Sequence, residues 1–172
     1  HTRSFHVTGV QTCALPILAG VGPVVLTTTS RPLDDALVRE ALERDVEVFR
    51  GDADDVLRRM RDAATQMGAD IVVRATADNP AVDIEAPGRL VRLLLSRQVD
   101  YVCEHGLPYG AAVEAMTVDA LRRAADHATH PSDREHVTTI MRRDAALFES
   151  LEDRKSTRLN SSHVKRSRMP SS

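Results

Sequence analysis

The chain has 172 residues, a formal net charge of −2 and 42% hydrophobic residues. That length suits one domain with a sizeable core, and no apolar run approaches the roughly 20 residues that a membrane-spanning helix needs. Residues 18–152 contain no lysine, and their sixteen arginines face twenty-four acidic residues. This acidic balance argues against a nucleic acid or a membrane surface as partner, and we expect a cytoplasmic protein.

The two ends of the chain are related through the genetic code. Each residue of 7–17 can be encoded by the reverse complement of a codon for a residue of 153–163, taken in opposite order, over eleven consecutive positions. Two unrelated protein ends would not match in this way, so we interpret both as adapter DNA read on each strand. We therefore expect residues 1–17 and 153–172 to be non-native, and residues 18–152 to form a partial domain.

Between these ends, strand and helix patterns alternate. Apolar, β-branched runs predict strands at 23–29, 46–49, from Ile71 and at 100–103, and helical spacing of apolar residues predicts helices at 32–44, 52–67 and 84–97. Short connections between such elements are typical of βαβ units. The sequence therefore predicts an α/β fold with a mostly parallel sheet and helices on both faces.

After Cys103 the pattern changes. A strand is predicted at 112–117, for which an antiparallel direction is one option, and a helix follows at 118–128. A single last helix is predicted from Pro131 through Met141.

An acidic residue follows the strand that starts at Ile71. The chain breaks there into Asp78-Asn79-Pro80, which a central strand cannot continue through because proline offers no N–H. Ligands of open α/β sheets bind beyond the carboxyl ends of the strands, so Asp78 is a candidate site residue. The alternative is that Asp-Asn-Pro is only a turn.

Three motifs point to a family. They are Arg50-Gly-Asp-Ala-Asp-Asp-Val56, Arg74-Ala-Thr-Ala-Asp78-Asn-Pro80-Ala-Val-Asp83 and Ser132-Asp-Arg-Glu-His-Val-Thr138. In this order they resemble the cytidylyltransferases of the SpsF type, which act in spore-coat polysaccharide biosynthesis, and those of acylneuraminate and 3-deoxy-manno-octulosonate. The resemblance implies a three-layer α/β/α nucleotide-diphospho-sugar transferase (Rossmann-like) fold. It also implies attack of a sugar hydroxyl on the α-phosphorus of CTP with Mg²⁺, and a homodimer as one possible assembly.

The family's phosphate-binding loop has no counterpart here. Its members begin with a strand and a loop of the form A-R-x-G-S-x-R-L-P-G-K, whereas this chain has the adapter-like segment at that place. We therefore expect the fold to lack its first strand and its phosphate loop. Phosphoryl transfer needs backbone N–H groups and a cation around the phosphates, so we expect this fragment to be inactive and the parent enzyme active.

The resemblance assigns roles to particular residues. Asp78 and Arg74 are the candidate catalytic residues, and Asp78 with Glu114 the candidate Mg²⁺ ligands. Residues expected to contact nucleotide or sugar are Thr28, Thr76, Glu114, Arg134 and His136. Simpler interpretations compete with these roles: Arg74 could pair with a nearby acid, Thr28 could be present for its strand propensity, and Glu114 could be a solvent-exposed acid.

Two other functions compete with cytidylyl transfer. Asp52-Ala53-Asp54 is a DxD sequence, which in GT-A-type glycosyltransferases binds the metal of an NDP-sugar. Its position before a helical stripe also suits an N-cap at Asp52, and Asp83 is likewise expected to cap the next helix. The third possibility is a non-catalytic α/β domain that binds a nucleotide, and fold alone separates none of the three.

Overall fold

The computed structural model describes residues 4–9, 21–76, 83, 85–107 and 112–154, with residues 4–9 and 154 described by their backbone alone. The strands are β1 Ser4–Gly9, β2 Val24–Thr29, β3 Glu47–Gly51, β4 Ile71–Thr76, β5 Tyr101–His105, β6 Glu114–Thr117 and β7 Ser150–Arg154. The helices are α1 Asp35–Leu42, preceded by a 3₁₀ turn at Pro32–Asp34, α2 Val56–Gln66, α3 Ala86–Arg97, α4 Val118–His127, α5 Pro131–His136 and α6 Thr139–Arg143.

The strands form a seven-stranded sheet in the order β3-β2-β1-β4-β6-β5-β7. Among these strands β6 alone runs antiparallel to its neighbours. The chain moves outward from β1 through β2 to β3, and then crosses to β4 on the other side of β1. The strand order therefore reverses between β1 and β4, which is where ligand crevices form in open α/β sheets. The predicted α/β class is confirmed.

Strand side chains alternate between two hydrophobic cores. In β4, Val72 packs in the core beneath α2 and α4, whereas Ile71 and Val73 pack in the core beneath α3. Tyr101 and Val102 of β5 divide in the same way. The first core also contains Leu57, Met60, Met116, Leu121 and Met141, and the second contains Leu90, Leu94, Val113 and Ala115. Each fully buried leucine contributes roughly 1.5–3 kcal/mol, so the two cores hold the three layers together.

The expectation that the sheet lacks its first strand is wrong. Backbone pairing places Ser4–Gly9 between β2 and β4, with His6 opposite Val24 and also opposite Val73. The physical reason is that a parallel ladder is made by N–H and C=O groups, which every non-proline residue carries. The origin of residues 1–17 stays a prediction, and so does the missing phosphate loop, because residues 10–20 lie outside the described part of the chain.

The boundary expected after residue 152 falls inside a strand. β7 pairs in parallel with β5, with Asp153 opposite Glu104. The side chain of Asp153 also accepts a hydrogen bond from Arg89 Nε at 2.8 Å. Periodicity did not reveal this strand because it is short and carries three charged residues among its five.

The single last helix is divided in two. Val137 ends α5 with φ 57° and ψ −57°, although it is buried, and its neighbour Thr138 donates its N–H to the carbonyl of His136 at 2.5 Å. This is a γ-turn with positive φ, a strained conformation for a β-branched residue. Tertiary contacts on both sides of Val137 select the break, as described below.

Several finer predictions need correction. α2 is capped by Asp55, whose carboxylate accepts the N–H of Arg58 at 2.8 Å, and not by Asp52. Asp83 accepts the N–H of Glu85 in a turn before α3, and Glu85 holds the N-cap position. Helical spacing of apolar residues also suggests buried positions for Leu42 in α1 and Leu95 in α3, but these side chains are 60% and 48% exposed. The helices of the described chain are too short or too polar to cross a membrane.

The central position of β1 can be tested by shortening the chain. A chain that begins at Leu18 leaves the facing edges of β2 and β4 without their common neighbour, so we expect it to lose its cooperative urea unfolding transition in circular dichroism. The control is a chain that ends at Arg154, which keeps every described strand and should keep the transition. Cooperative unfolding of the Leu18 chain, with an unchanged dependence on urea, would show that β1 is dispensable.

Candidate functional site

The candidate site lies at the carboxyl edge of the parallel strands. Because β6 runs antiparallel, its first residue, Glu114, lies toward the carboxyl ends of β4 and β5, opposite Arg74 and Cys103. β4 ends at Thr76, beside Gly9 of β1. The edge therefore combines the reversal in strand order with a carboxylate that the antiparallel strand delivers to it.

Glu114 is the centre of a buried hydrogen-bond network. Its side chain is 4% exposed, and Oε2 accepts from Arg74 Nη1 at 2.6 Å. Oε1 accepts from the hydroxyls of Tyr101 at 2.6 Å and Thr138 at 2.9 Å, and from Arg142 Nη2. Two guanidinium groups and two hydroxyl groups thus hold one carboxylate. Burial of an ionised carboxylate is tolerated only with such pairing.

Arg142 closes the network. Its Nε donates to the Tyr101 hydroxyl oxygen at 2.8 Å, and its guanidinium carbon lies 5.7 Å from the centroid of the Tyr101 ring. The tyrosine hydroxyl therefore accepts from Arg142 while it donates to Glu114. About half of the Arg142 side chain is exposed. The arginine thus has one side fixed in the protein and another turned toward solvent.

The electrostatics follow from these contacts. Burial raises the pKa of Glu114, but the charge of Arg74, the hydrogen bond from Tyr101 and the charge of Arg142 outweigh it and hold the pKa below its ordinary value. Burial and the neighbouring carboxylate raise the pKa of Tyr101, so its hydroxyl keeps its proton. The network is therefore ionised at Glu114 and positive overall, with two guanidinium groups and one carboxylate.

The break between α5 and α6 serves this network. Thr138 directly follows the γ-turn at Val137, and its hydroxyl reaches Glu114. On the other side, Arg143 of α6 donates two hydrogen bonds to the buried carboxylate of Asp133 in α5, at 3.0 and 2.9 Å. A straight helix through residue 137 could not keep both contacts, and strain of this kind is found where surrounding structure fixes it.

The other predicted site residues lie outside the network. Thr28 is buried and donates its hydroxyl to Asp34 at 2.8 Å. Arg134 pairs with Asp55, the cap of α2, at 2.7 Å, and it also donates to the carbonyl of Ala128 at 3.0 Å. These three contacts are the simplest account of both residues, and the ligand roles of Thr28 and Arg134 stay predictions.

Three predicted residues take other positions. Thr76 is partly buried at the end of β4, on the edge already described. His136 is exposed at the end of α5, next to the γ-turn. Asp78 belongs to residues 77–82, which lie outside the described residues, so its roles in catalysis and Mg²⁺ binding stay predictions.

The two aspartates of the DxD sequence, Asp52 and Asp54, make contacts with nearby protein groups. Asp52 accepts the N–H groups of Asp54 and Asp55, both at 3.0 Å, and these bonds lower its pKa. Asp54 pairs with Arg31 at 2.9 Å on the surface. These contacts agree with a turn before α2, and they offer no support for a metal site of the glycosyltransferase kind.

The described residues hold no cluster of three or more His, Cys, Asp or Glu side chains arranged for a metal ion. Glu114 is poorly placed to bind a divalent cation, because a cation at its oxygens would face two guanidinium groups. These contacts argue for a positioning role of Glu114 rather than metal binding.

Three members of the network were not predicted from the sequence, namely Tyr101, Thr138 and Arg142. Tyr101 lies on a predicted strand and Thr138 within a family motif, but neither was given a role. Arg142 stands four residues after Thr138, which places both on one face of a helix. That spacing was the available signal, although the partner Glu114 is distant in sequence.

The chain matches a family model described as "Cytidylyltransferase" over residues 18–169. An uncharacterised protein of Methanocaldococcus jannaschii is 36% identical over 125 residues, which is 73% of this chain and 51% of that protein. The spore coat polysaccharide biosynthesis protein SpsF of Bacillus subtilis is 27% identical over 126 residues, 73% of this chain and 52% of that protein. The chain thus spans about half the length of the curated relatives it matches.

A solved structure has the same fold. The structure of a cytidylyltransferase from Leptospira borgpetersenii superposes with a TM-score of 0.77 at 24% sequence identity, covering 91% of this chain and 77% of that chain. At this identity the likeness establishes the fold, and the family model carries the assignment.

Removing the charge of Glu114 should destabilise the protein. The substitution Glu114→Gln keeps the shape but leaves Arg74 and Arg142 without their shared carboxylate, so we expect a loss of about 3 kcal/mol in the free energy of unfolding, measured by urea denaturation. Glu135→Gln, at an exposed position of α5, is the matched control and should change stability little. Equal stabilities of the two variants would contradict the network.

The lowered pKa of Glu114 predicts a dependence on pH. Its ionised form contributes stability that is fully present above the ordinary glutamate value of 4.5 and is lost as the pH falls through the lowered value of the folded protein. The stability difference between wild type and Glu114→Gln should therefore be constant at neutral pH and narrow as the pH falls below about 4.5. A difference that stays constant to the acid limit of folding would show that Glu114 does not titrate in this way.

Proposed function

The chain belongs to the cytidylyltransferase family, and we propose that it forms the larger part of the catalytic domain of an enzyme that transfers the CMP group of CTP to a sugar. The family description supplies the transferred group. The likeness to a protein named for spore coat polysaccharide biosynthesis supports a sugar destined for a surface polysaccharide as the acceptor.

The proposed reaction makes and breaks one phosphorus–oxygen bond. A sugar hydroxyl oxygen attacks the α-phosphorus of CTP, the bond from that phosphorus to the bridging oxygen breaks, and pyrophosphate leaves. The hydroxyl gives up its proton, and the products are CMP-sugar and pyrophosphate. Such a reaction asks the protein mainly for positioning and for positive charge around the phosphates.

The observation that carries the proposal is the excess positive charge at the carboxyl edge of the sheet. Arg74 and Arg142 share the single carboxylate of Glu114, and this network stands next to the reversal between β1 and β4. One bond of Arg74, from Nη1, is made to Glu114, and the other donors of its guanidinium have no hydrogen bond within the described part of the chain. A guanidinium held in this way suits a phosphate oxygen.

Magnesium is part of the proposal only through Asp78. A Mg²⁺ ion usually binds one or two carboxylates together with the phosphates of its substrate. Asp78 follows β4 by two residues in the sequence and would be such a carboxylate, whereas the contacts of Glu114 do not fit a metal.

The proposal is tested by nucleotide binding. We expect the chain to bind CTP more tightly than ATP in isothermal titration, and Arg74→Gln to weaken CTP binding about tenfold because a charged hydrogen bond to phosphate is lost. Arg97→Gln, at an exposed position at the end of α3, is the matched control and should bind CTP as wild type does. Equal affinity of the Arg74 and Arg97 variants would overturn the role of Arg74.

Assays of turnover distinguish between the three competing functions. We expect pyrophosphate release from CTP and a sugar by the longer parent enzyme, and none by this chain if it lacks the family's phosphate loop. Release by this chain would refute that expectation. Hydrolysis of an NDP-sugar without pyrophosphate release would favour the glycosyltransferase alternative, and nucleotide binding by the parent without any turnover would favour a non-catalytic domain.

A further inference from the structure

A second charged cluster lies on the opposite face of the sheet, around Arg89 of α3. Its three bonded nitrogens each meet a different carboxylate. Nη1 donates to Asp83 at 3.1 Å, Nη2 to Glu104 at 2.5 Å and Nε to Asp153 at 2.8 Å. One guanidinium therefore joins α3 to β5, to β7 and to the end of the connection that follows β4.

Glu104 extends this cluster toward the candidate site. Its side chain is fully buried, and its second oxygen accepts the N–H of Val113 at 3.1 Å. The backbone N–H of Glu104 donates in turn to the carbonyl of Val113 at 3.2 Å. Val113 directly precedes Glu114, so Glu104 fixes the chain at the residue before the centre of the site.

Asp83 extends the cluster in the other direction. It directly follows residues 77–82 in the sequence, and its carboxylate accepts the N–H of Glu85 at 3.1 Å as well as the bond from Arg89. Asp83, which follows β4, and Val113, which precedes β6, are therefore both linked to the same guanidinium, Asp83 directly and Val113 through Glu104.

The charges show why an arginine is needed here. Without Arg89, the carboxylates of Asp83, Glu104 and Asp153 would lack the cation that they share, and within the described residues the buried charge of Glu104 would keep only the N–H of Val113. A lysine would keep the charge, but its single ammonium group cannot present three donors in a planar fork.

We propose that Arg89 is a positioning residue of the substrate site, which acts through Asp83 and Glu104 to hold the backbone at Asp83 and at Val113. Arg89 makes no contact with Arg74 or with Glu114 within the described residues. It acts on the opposite face of the sheet and affects the site only through the backbone at Asp83 and Val113. The effect on substrate binding rests on the proposed function, whereas the effect on the backbone does not.

Arg123 provides a matched control. It also joins three groups, Asp100, Asp119 and the carbonyl of Leu147, and its side chain is 34% exposed compared with 29% for Arg89. Its partner Asp100 directly precedes Tyr101 at the amino end of β5, the end opposite to the carboxyl edge. Arg89→Lys and Arg123→Lys therefore each replace a guanidinium that joins three groups, at opposite ends of the sheet.

The experiment compares hydrogen exchange and CTP binding in the full chain. We expect Arg89→Lys to speed exchange of the Val113 and Glu85 amides and to weaken CTP binding about tenfold relative to Arg123→Lys, with similar urea midpoints for the two variants. Equal exchange at these amides in both variants, or equal CTP affinity, would overturn the proposal.

A second variant tests the proposal in case Arg89→Lys fails to fold. Asp83→Asn removes the bond to the connection after β4 and leaves Glu104 paired, so it should speed exchange at Glu85 and weaken CTP binding while the urea midpoint stays near wild type. Asp119→Asn, which removes one partner of Arg123, should change neither. If wild type does not bind CTP, the proposed function fails, and the exchange rates at Val113 and Glu85 alone decide whether Arg89 holds the backbone.

Discussion

The structure depends on how one buried carboxylate is kept ionised. Glu114 lies between two guanidinium groups and two hydroxyl groups that come from β4, β5, the turn after α5 and α6. These elements meet only if the sheet places β6 between β4 and β5 and if the chain breaks at Val137. The cost of an unpaired buried charge therefore helps to fix the relative positions of these strands and helices.

Arginine side chains make the ionic contacts that link separate elements of the described chain. Arg89, Arg123 and Arg142 each hold groups from separate elements, and each uses more than one nitrogen to do so. A planar fork can satisfy several acceptors in fixed directions, which a flexible ammonium cannot do. The absence of lysine from residues 18–152 is consistent with this use.

The regular elements of the core could be predicted because each leaves a local signal. α2 and α4 repeat apolar residues at helical spacing, and the β-branched run from Ile71 is a buried strand. The contacts of Glu114 could not be predicted, since its partners lie 13 to 40 residues away and pairing depends on the sheet order. β1 and β7 were not predicted for a related reason. Strand pairing depends on backbone N–H and C=O groups, which every non-proline residue carries, and on a neighbouring strand that has an unpaired edge. The break at Val137 is imposed by tertiary contacts on a sequence with good helical spacing.

The outer strands have a consequence for behaviour in concentrated solution. β3 and β7 are the outer strands of the sheet that the described residues form, so within those residues each has backbone groups on one side without a neighbouring strand. Such edges invite pairing between molecules, the first step toward aggregates. The exposed charges of Glu47 and Arg50 on β3 and of Glu152 on β7 oppose that contact, since a second molecule would have to bury them. The same polar residues that hid β7 from periodicity thus help to keep the molecules apart.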